Sequence, residues 1–456
     1  MRKETDSMGE VMVPDEAYFG AQTQRAIENF KVSGKSMPLD FIYALATVKL
    51  ACALSNKELK YIEEKKADAI IQACKEILDH KFDNQFPVDV YQTGSGTSTN
   101  MNINEVIANR ATEILGGKKG EKLVHPNNDV NKGQSSNDTI PTAMHIMIVE
   151  LSKKKLLPAL NGLEEALEYK EKEFANIIKI GRTHMQDAVP IRLSDEFGAY
   201  KTQIINNKKR ITFALEGLKE LALGATAVGT GLNAPKGFAR LAIEKISEFT
   251  NTDYKQAPNL FEAIASKDAV NFFASSLSTL ASSMIKIASD IRFLSCGPRC
   301  GIGELILKDL QPGSSIMPGK VNPVIPESVL QVSYSVIGYS QIVNMCAQAG
   351  VLELNVMMPA IIYHINEAIN IMSNVIDDFS TKCILPIRAN KERINSFIEN
   401  SLALVTPLAL IIGYDKAAAI AHEAYITNKT IKEVVLEKGI LSKEQAEKIL
   451  DPRKMV

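Results

Sequence analysis

Apolar residues recur three and four positions apart over long stretches of this chain, the spacing that lines one face of a helix. From Ile140 to Ile180 the run "IPTAMHIMIVELSKKKLLPALNGLEEALEYKEKEFANIIKI" keeps that period, with "KKK" and "EYKEKE" on the opposite side. Similar patterns cover 193–223, 258–295, 327–348 and 356–381, and shorter ones cover Leu39–Glu63 and Ile103–Leu115. Helices of this length lying side by side make a bundle. The expected fold is therefore mainly α, with a central long-helix bundle. Ser136 and Asp138 offer caps ahead of the first long run, with Pro141 placed in its first turn. Near the end, "LSKEQAEKIL" opens with a capping box of Ser442 and Gln445. Three regions are expected: a mixed, mostly helical domain over 1–135, a helical-bundle domain over 136–388, and a small helical domain over 389–456.

Four polar islands interrupt this pattern. The first, "QTGSGTSTNMNINEVIANRA" at 92–111, runs Ser95, Gly96 and Thr97 into a helix start, where backbone N–H groups suit a carboxylate or phosphate. The second, "HPNNDVNKGQSSNDTIPTAMHI" at 125–146, gathers His125, Asn127, Asn128, Lys132, Ser135, Ser136 and Asn137. The third, "GRTHMQDAVP" at 181–190, is read as a connection between two long helices carrying Thr183 and His184. The fourth, "QPGSSIMPGKVNPVIPE" at 311–327, packs four prolines and two glycines around Ser314, Ser315, Lys320, Val321 and Asn322. Proline removes N–H donors and glycine admits positive φ, so this piece has the composition of a shaped loop.

Composition narrows the chemistry. The 52 basic and 53 acidic residues nearly cancel, so no basic surface points to nucleic acid, and any pull on an anion must be built locally. No apolar run reaches the roughly 20 residues that span a bilayer, and the N-terminus lacks a secretory core. Neither a membrane nor a nucleic acid is an expected partner. The cysteines at 52, 74, 296, 300, 346 and 383 form no CxxC pair, which fits free thiols in a reducing cytoplasm. Neither HExxH, a P-loop nor a GxSxG elbow is present, and no metal or cofactor is expected. Hydroxyls, amides, a lysine and histidines suit recognition of a small polyanion coupled to proton transfer.

The segment "GSSIMPGKVNP" at 313–323 resembles the signature loop of the fumarase/aspartase superfamily, and the other islands resemble its remaining active-site segments in the same order. Within it, "DSMGEV", "GAQTQR", "YQTGSGT", "GQSSND", "GRTH", "GPRCGIGE" and "GLNAPKGF" are similar to class II fumarate hydratases. Other spellings lean to aspartate ammonia-lyases: "TSTN" at 97–100, Asn128, "NPVIPE" at 322–327 and "ELNVM" at 353–357. Lys122 stands where the hydratases carry arginine. The resemblance implies a three-domain, mostly helical subunit in a homotetramer whose active sites are shared between subunits.

It implies reversible hydration of fumarate to (S)-malate through a carbanion, with the ammonia-lyase as the alternative and a non-catalytic helical oligomer as a remote one. By the same resemblance Ser314 takes the proton from carbon, and Lys320 and Asn322 hold the resulting charge. His184, paired with Glu327, acts on water. Ser95, Gly96, Thr97, Ser135, Ser136, Asn137, Thr183, Ser315 and Val321 complete substrate binding. Lys122, His125, Pro126, Asn127 and Asn128 form a second dicarboxylate site.

Overall fold

The computed structural model describes all 456 residues and is mainly helical. The chain opens with a hairpin of β1 (Arg2–Asp6) and β2 (Gly9–Val13), followed by α1 (Ala21–Asn29), α2 (Leu39–Glu58), α3 (Glu64–Leu78), α4 (Thr97–Ile114), α5 (Ser136–Leu151) and α6 (Leu157–Glu173). A second antiparallel hairpin, β3 (Ile178–Thr183) and β4 (Gln186–Arg192), precedes α7 (Leu193–Gly217), α8 (Phe238–Thr250), α9 (Leu260–Ala265) and α10 (Asp268–Leu294). Then follow α11 (Val324–Ala347), α12 (Met358–Asp378), α13 (Lys391–Asn400), α14 (Thr406–Ile412), α15 (Tyr414–Thr427), α16 (Ile431–Glu437) and α17 (Lys443–Ile449).

These elements form two compact units. One comprises Met1–Pro158, Lys208–Ala281 and Tyr334–Ser373, and the other Ala159–Asn207, Ser282–Ser333 and Asn374–Val456. The first unit is centred on α2, which is apolar on every face and packs against α3, α5 and α8. An all-round apolar helix must be enclosed, and Phe41, Ile42, Leu45 and Val48 are completely buried. In the second unit Leu408, Ile420, Val434, Val435 and Ala446 gather into a separate core built by α14 to α17. The capping box expected at Ser442 and Gln445 opens α17.

Several helix boundaries differ from the periodicity, each for a local reason. The 140–180 run is helical only to Glu173, with a π-type turn at Ser152–Leu156, and its tail enters β3. Its cap is Ser135, in a capping box with Asp138, which puts Pro141 in the second turn. The 258–295 run breaks at Ser266 and Lys267, because the Lys267 ammonium donates to the carbonyls of Ala263, Ile264 and Ser266 and closes α9. The helix read from Ile103 begins at Thr97, so the first polar island runs from the turn before α4 through most of the helix itself. The connection at 181–190 is a β-hairpin. The proline-rich segment is irregular from Gln311 to Pro323, but Val324–Glu327 already belongs to α11. Pro326 is tolerated there because first-turn N–H groups have no intrahelical partner.

Candidate active site

In the first unit, two glycines set the entrance to α4. A Cβ on Gly94 would lie 1.7 Å from the Val356 carbonyl oxygen, so no side chain fits there. Gly96 has φ of 72° and lies against Ile140. This tight turn places Thr97 at the first position of the helix, with its Oγ1 2.8 Å from Ser95 Oγ and 2.7 Å from Ser136 Oγ. The hydroxyl chain Ser95–Thr97–Ser136 thus joins the first two islands at the N-terminal ends of α4 and α5, where helix dipoles and unpaired N–H groups favour an anion. Asn137 donates its side-chain amide to the Ala227 carbonyl at 2.7 Å. Beneath them Asp138 is fully buried and accepts the backbone N–H groups of Ser135, Gly224 and Thr226. Burial outweighs these bonds and pushes its carboxyl up to about 6.

His125 caps a π-type turn, Pro126–Val130, through Nδ1, which accepts the N–H groups of Asn127 and Asn128 at 3.1 and 3.2 Å. That acceptor role fixes a neutral ring with the proton on Nε2. Burial and the Lys122 charge both hold its proton affinity below the usual histidine range. His125, Pro126, Asn127 and Lys122 line a cavity of about 460 Å³ together with Asp6 and Glu105. Lys122 bonds to the Thr5 carbonyl, and Asn128 lies exposed beside His125.

The second unit carries the other two islands. The loop closes on itself: Gly313 N–H donates to the Lys320 carbonyl at 2.7 Å, and Asn322 Nδ2 donates to the Gly313 carbonyl at 2.8 Å. Gly313 has no room for a Cβ, which would meet Asn322 N and Lys320 O at 2.8 Å. Inside this bend Ser314 Oγ accepts the N–H groups of Ile316 and Met317 at 3.3 and 3.0 Å. Two amide dipoles therefore converge on one hydroxyl oxygen, an arrangement that favours negative charge there. Ser315, Lys320 and Val321 are exposed, and Glu327 is half-buried in the first turn of α11.

His184 and Met185 form the two-residue turn of the β3–β4 hairpin, both left-handed at φ of 53° and 59°. Such turns favour Asn-Gly, so a histidine and a methionine are held there against their backbone preference. The hairpin base is anchored by charges. Glu304 is 0% exposed, receives Arg182 Nη1 on Oε1 at 2.8 Å, and has Lys179 Nζ 2.9 Å from Oε2 in an ion-pair contact. Lys179 also donates to Glu196 at 2.7 Å, and the Arg182 guanidinium lies over the Phe397 ring. Thr183 and His184 are exposed at the tip, and His184, Lys320 and Glu327 make no side-chain hydrogen bond or ion pair within the chain. Sequence reasoning assigned no role to Glu304 or Lys179. The only signal was an acid ending the Gly-rich "GPRCGIGE" and a lysine within an apolar strand.

A mainly helical chain with hydroxyl-lined helix starts and a glycine-framed serine loop has the architecture of a lyase. The family model described as lyase matches residues 9–338, and that described as the fumarase C C-terminus matches residues 404–456. The chain belongs to this fumarase-type lyase family, as the resemblance of its signature loop implied. It is 48% identical over 456 residues to the class II fumarate hydratase of Campylobacter jejuni, covering 100% of this chain and 98% of the relative. The class II fumarate hydratase of Rickettsia bellii is 50% identical over 456 residues, with the same coverage. Among solved structures, the class II fumarase of Schistosoma mansoni superposes with a TM-score of 0.97 at 40% identity, covering 100% of this chain and 98% of that one.

Proposed function

We propose that the chain is a class II fumarate hydratase, a hydro-lyase that interconverts fumarate and (S)-malate. The observation that carries this reading is the bend around Ser314, with two N–H groups directed at its Oγ, in a chain alike over its full length to class II fumarate hydratases. In the dehydration direction Ser314, as an alkoxide held by the Ile316 and Met317 N–H groups, takes a proton onto Oγ from the carbon next to one carboxylate of malate. The C–H electron pair moves into that carboxylate and gives an aci-carboxylate with two negative charges. Lys320 and Asn322 stabilise it, each preorganised donor contributing about 3 kcal/mol. The C–O bond then breaks, and the departing hydroxide takes a proton from His184 and leaves as water. Glu327 supports the positive charge on His184, and Thr183 orients the water. Hydration is the reverse sequence.

Thr97, Ser95, Gly96 and Ser135–Asn137 receive the substrate carboxylates, with Ser315 and Val321 lining the reacting side. His125, Pro126, Asn127, Asn128 and Lys122 form a second dicarboxylate station. The active protein is a homotetramer whose sites draw residues from different subunits. Support comes from the unpartnered His184 and Lys320, and from large apolar side chains exposed on long helices, Phe213, Phe272 and Tyr334 among them. The central region 136–388 supplies that assembly surface between regions 1–135 and 389–456. A reducing cytoplasm suits its six free thiols.

Incubating the protein with fumarate and following the loss of ultraviolet absorbance, with and without ammonium, tests the reading. Malate formation independent of ammonium is expected. Consumption that requires ammonium and yields aspartate would overturn it in favour of ammonia-lyase chemistry.

A further inference from the structure

Helix α2 contains one charged residue between Asp40 and Lys57, and it sits within the buried middle of the helix. Lys49 is 1% exposed, yet no carboxylate bonds to it. Its ammonium donates to three side-chain amide oxygens: Asn100 at 2.7 Å, Gln134 at 2.9 Å and Asn131 at 3.1 Å. Asn100 lies in the first turn of α4, one helical turn from Thr97. Gln134 immediately precedes Ser135, the cap of α5. Thr139 Oγ1, whose proton goes to the Ser135 carbonyl at 2.8 Å, lies 3.3 Å from Asn100 Oδ1 and so borders the same cluster from α5. One cation therefore ties together the two segments that present Ser95, Thr97, Ser136 and Asn137.

Burying an ammonium whose N–H groups meet only neutral oxygens is costly, since those oxygens satisfy its hydrogen bonds while its charge is offset only at a distance, by the Asp138 carboxylate. A structural tie between two polar loops could be made by an amide or a hydroxyl at no such cost. The cationic form gains when a dianion occupies the hydroxyl-lined helix starts just beyond those oxygens. Resting on the proposed hydratase reading, we propose that Lys49 is a buried positioning residue that sets the carboxylate-binding islands in register and lends them positive charge. The side chains those islands present at the two helix starts, Ser95, Thr97, Ser136 and Asn137, are themselves uncharged.

Lys49 is surrounded by Cys52 on its own helix, Cys74 on α3 and Asp138 on α5. On α8 Arg240 pairs with Glu244 and Lys245 with Glu58. Desolvation pushes the Lys49 ammonium down to about 8, while Asp138 and the two thiols oppose that fall. The charge is therefore present at neutral pH and lost as pH rises through about 8. Linkage gives fold and binding opposite signs. Above that pH the neutral amine relieves the burial cost, which raises stability, but dianion affinity declines.

The test uses the full-length protein and two competitive inhibitors, succinate and its half-amide succinamate, from pH 6.5 to 9.5. Lys49→Met is expected to raise KM for fumarate on the order of tenfold, with kcat within about threefold. Succinate should weaken on the order of tenfold more than succinamate. Lys49→Arg, which keeps the charge, should recover most of the succinate preference. In the wild-type protein the succinate-to-succinamate preference should fall as pH passes about 8, and this change should be absent from Lys49→Met. Equal weakening of both inhibitors, or a wild-type preference flat across that range, would overturn the proposal. The wild-type titration decides the matter even if the methionine variant does not fold. Absence of any fumarate hydration by the wild-type protein would instead count against the hydratase reading.

Discussion

The hydroxyl-bearing islands of the first unit and the serine loop and histidine hairpin of the second are built on opposite terms. Around Thr97 and Ser136 each side chain already has a partner. Ser95, Thr97 and Ser136 bond in series, and Ser135 and Asp138 close a capping box. Around Ser314 and His184 the backbone is firmly specified, by Gly313 and Asn322 in one case and by the Glu304 ion pairs in the other. Yet the His184 and Lys320 side chains have no partner, and Ser314 Oγ meets only two backbone N–H groups, which leaves its own proton free. The difference separates binding, which benefits from rigid preformed groups, from chemistry, which needs groups whose hydrogen-bonding capacity is free for a moving proton.

The sharpest way to break this contrast is Ser314→Ala. It removes the hydroxyl but none of the bonds that close the loop, so kcat should fall by at least about 10³-fold with unfolding midpoint almost unchanged. Wild-type turnover in this variant would remove the serine from the chemistry. Next comes His184→Asn, expected to lower kcat by about 10²–10³-fold. Asparagine tolerates the left-handed turn, so circular dichroism and thermal unfolding should match the parent. A loss of folding would mean the tip is structural after all.

On the preformed side the effect should appear in binding. Thr97→Val severs the hydroxyl chain and should raise KM about tenfold while changing kcat by less than about threefold. The reverse pattern would blur the division between the units. The smallest effect concerns Asp138→Asn. Because burial pushes this carboxyl up to about 6, the folded protein holds a proton that the unfolded chain releases between roughly pH 4 and 6. The group therefore adds stability below about pH 4, and that contribution is lost as pH rises through about 6. The difference in unfolding free energy between parent and variant should shift by on the order of 2 kcal/mol across this window in denaturant titrations. A pH-independent difference would show that Asp138 does not titrate there.

Much of the architecture was legible because helices announce themselves by period. The runs at 193, 327 and 356 fall within a few residues of α7, α11 and α12. What the period could not reveal were features decided by single contacts. Lys267 closes α9 by turning onto carbonyls of its own chain, and a π-type turn at Ser152–Leu156 interrupts a run whose polarity pattern is unbroken. The hairpin at 178–192 was missed because its turn carries His-Met instead of the Asn-Gly that marks such turns. Likewise, the polar residues of the site could be found from their density in loops. The buried ions that orient them, Lys49 and Glu304, stood alone in apolar or glycine-rich surroundings and carried no spacing to notice.

Gly94 faces Val356 so closely that only hydrogen fits, and its carbonyl accepts the Met358 N–H at 3.0 Å. The first unit also draws on chain as late as Ser373. A ribosome emitting this polypeptide from its N-terminus therefore releases the Gly-Ser turn long before its backing strand of peptide exists. Until then Asp40, at the start of α2, also lacks the Asn366 and Asn370 amides of α12 that donate to it. Nascent chains stalled in that interval should engage holding chaperones, and release from them should coincide with emergence of α12 rather than with any earlier element.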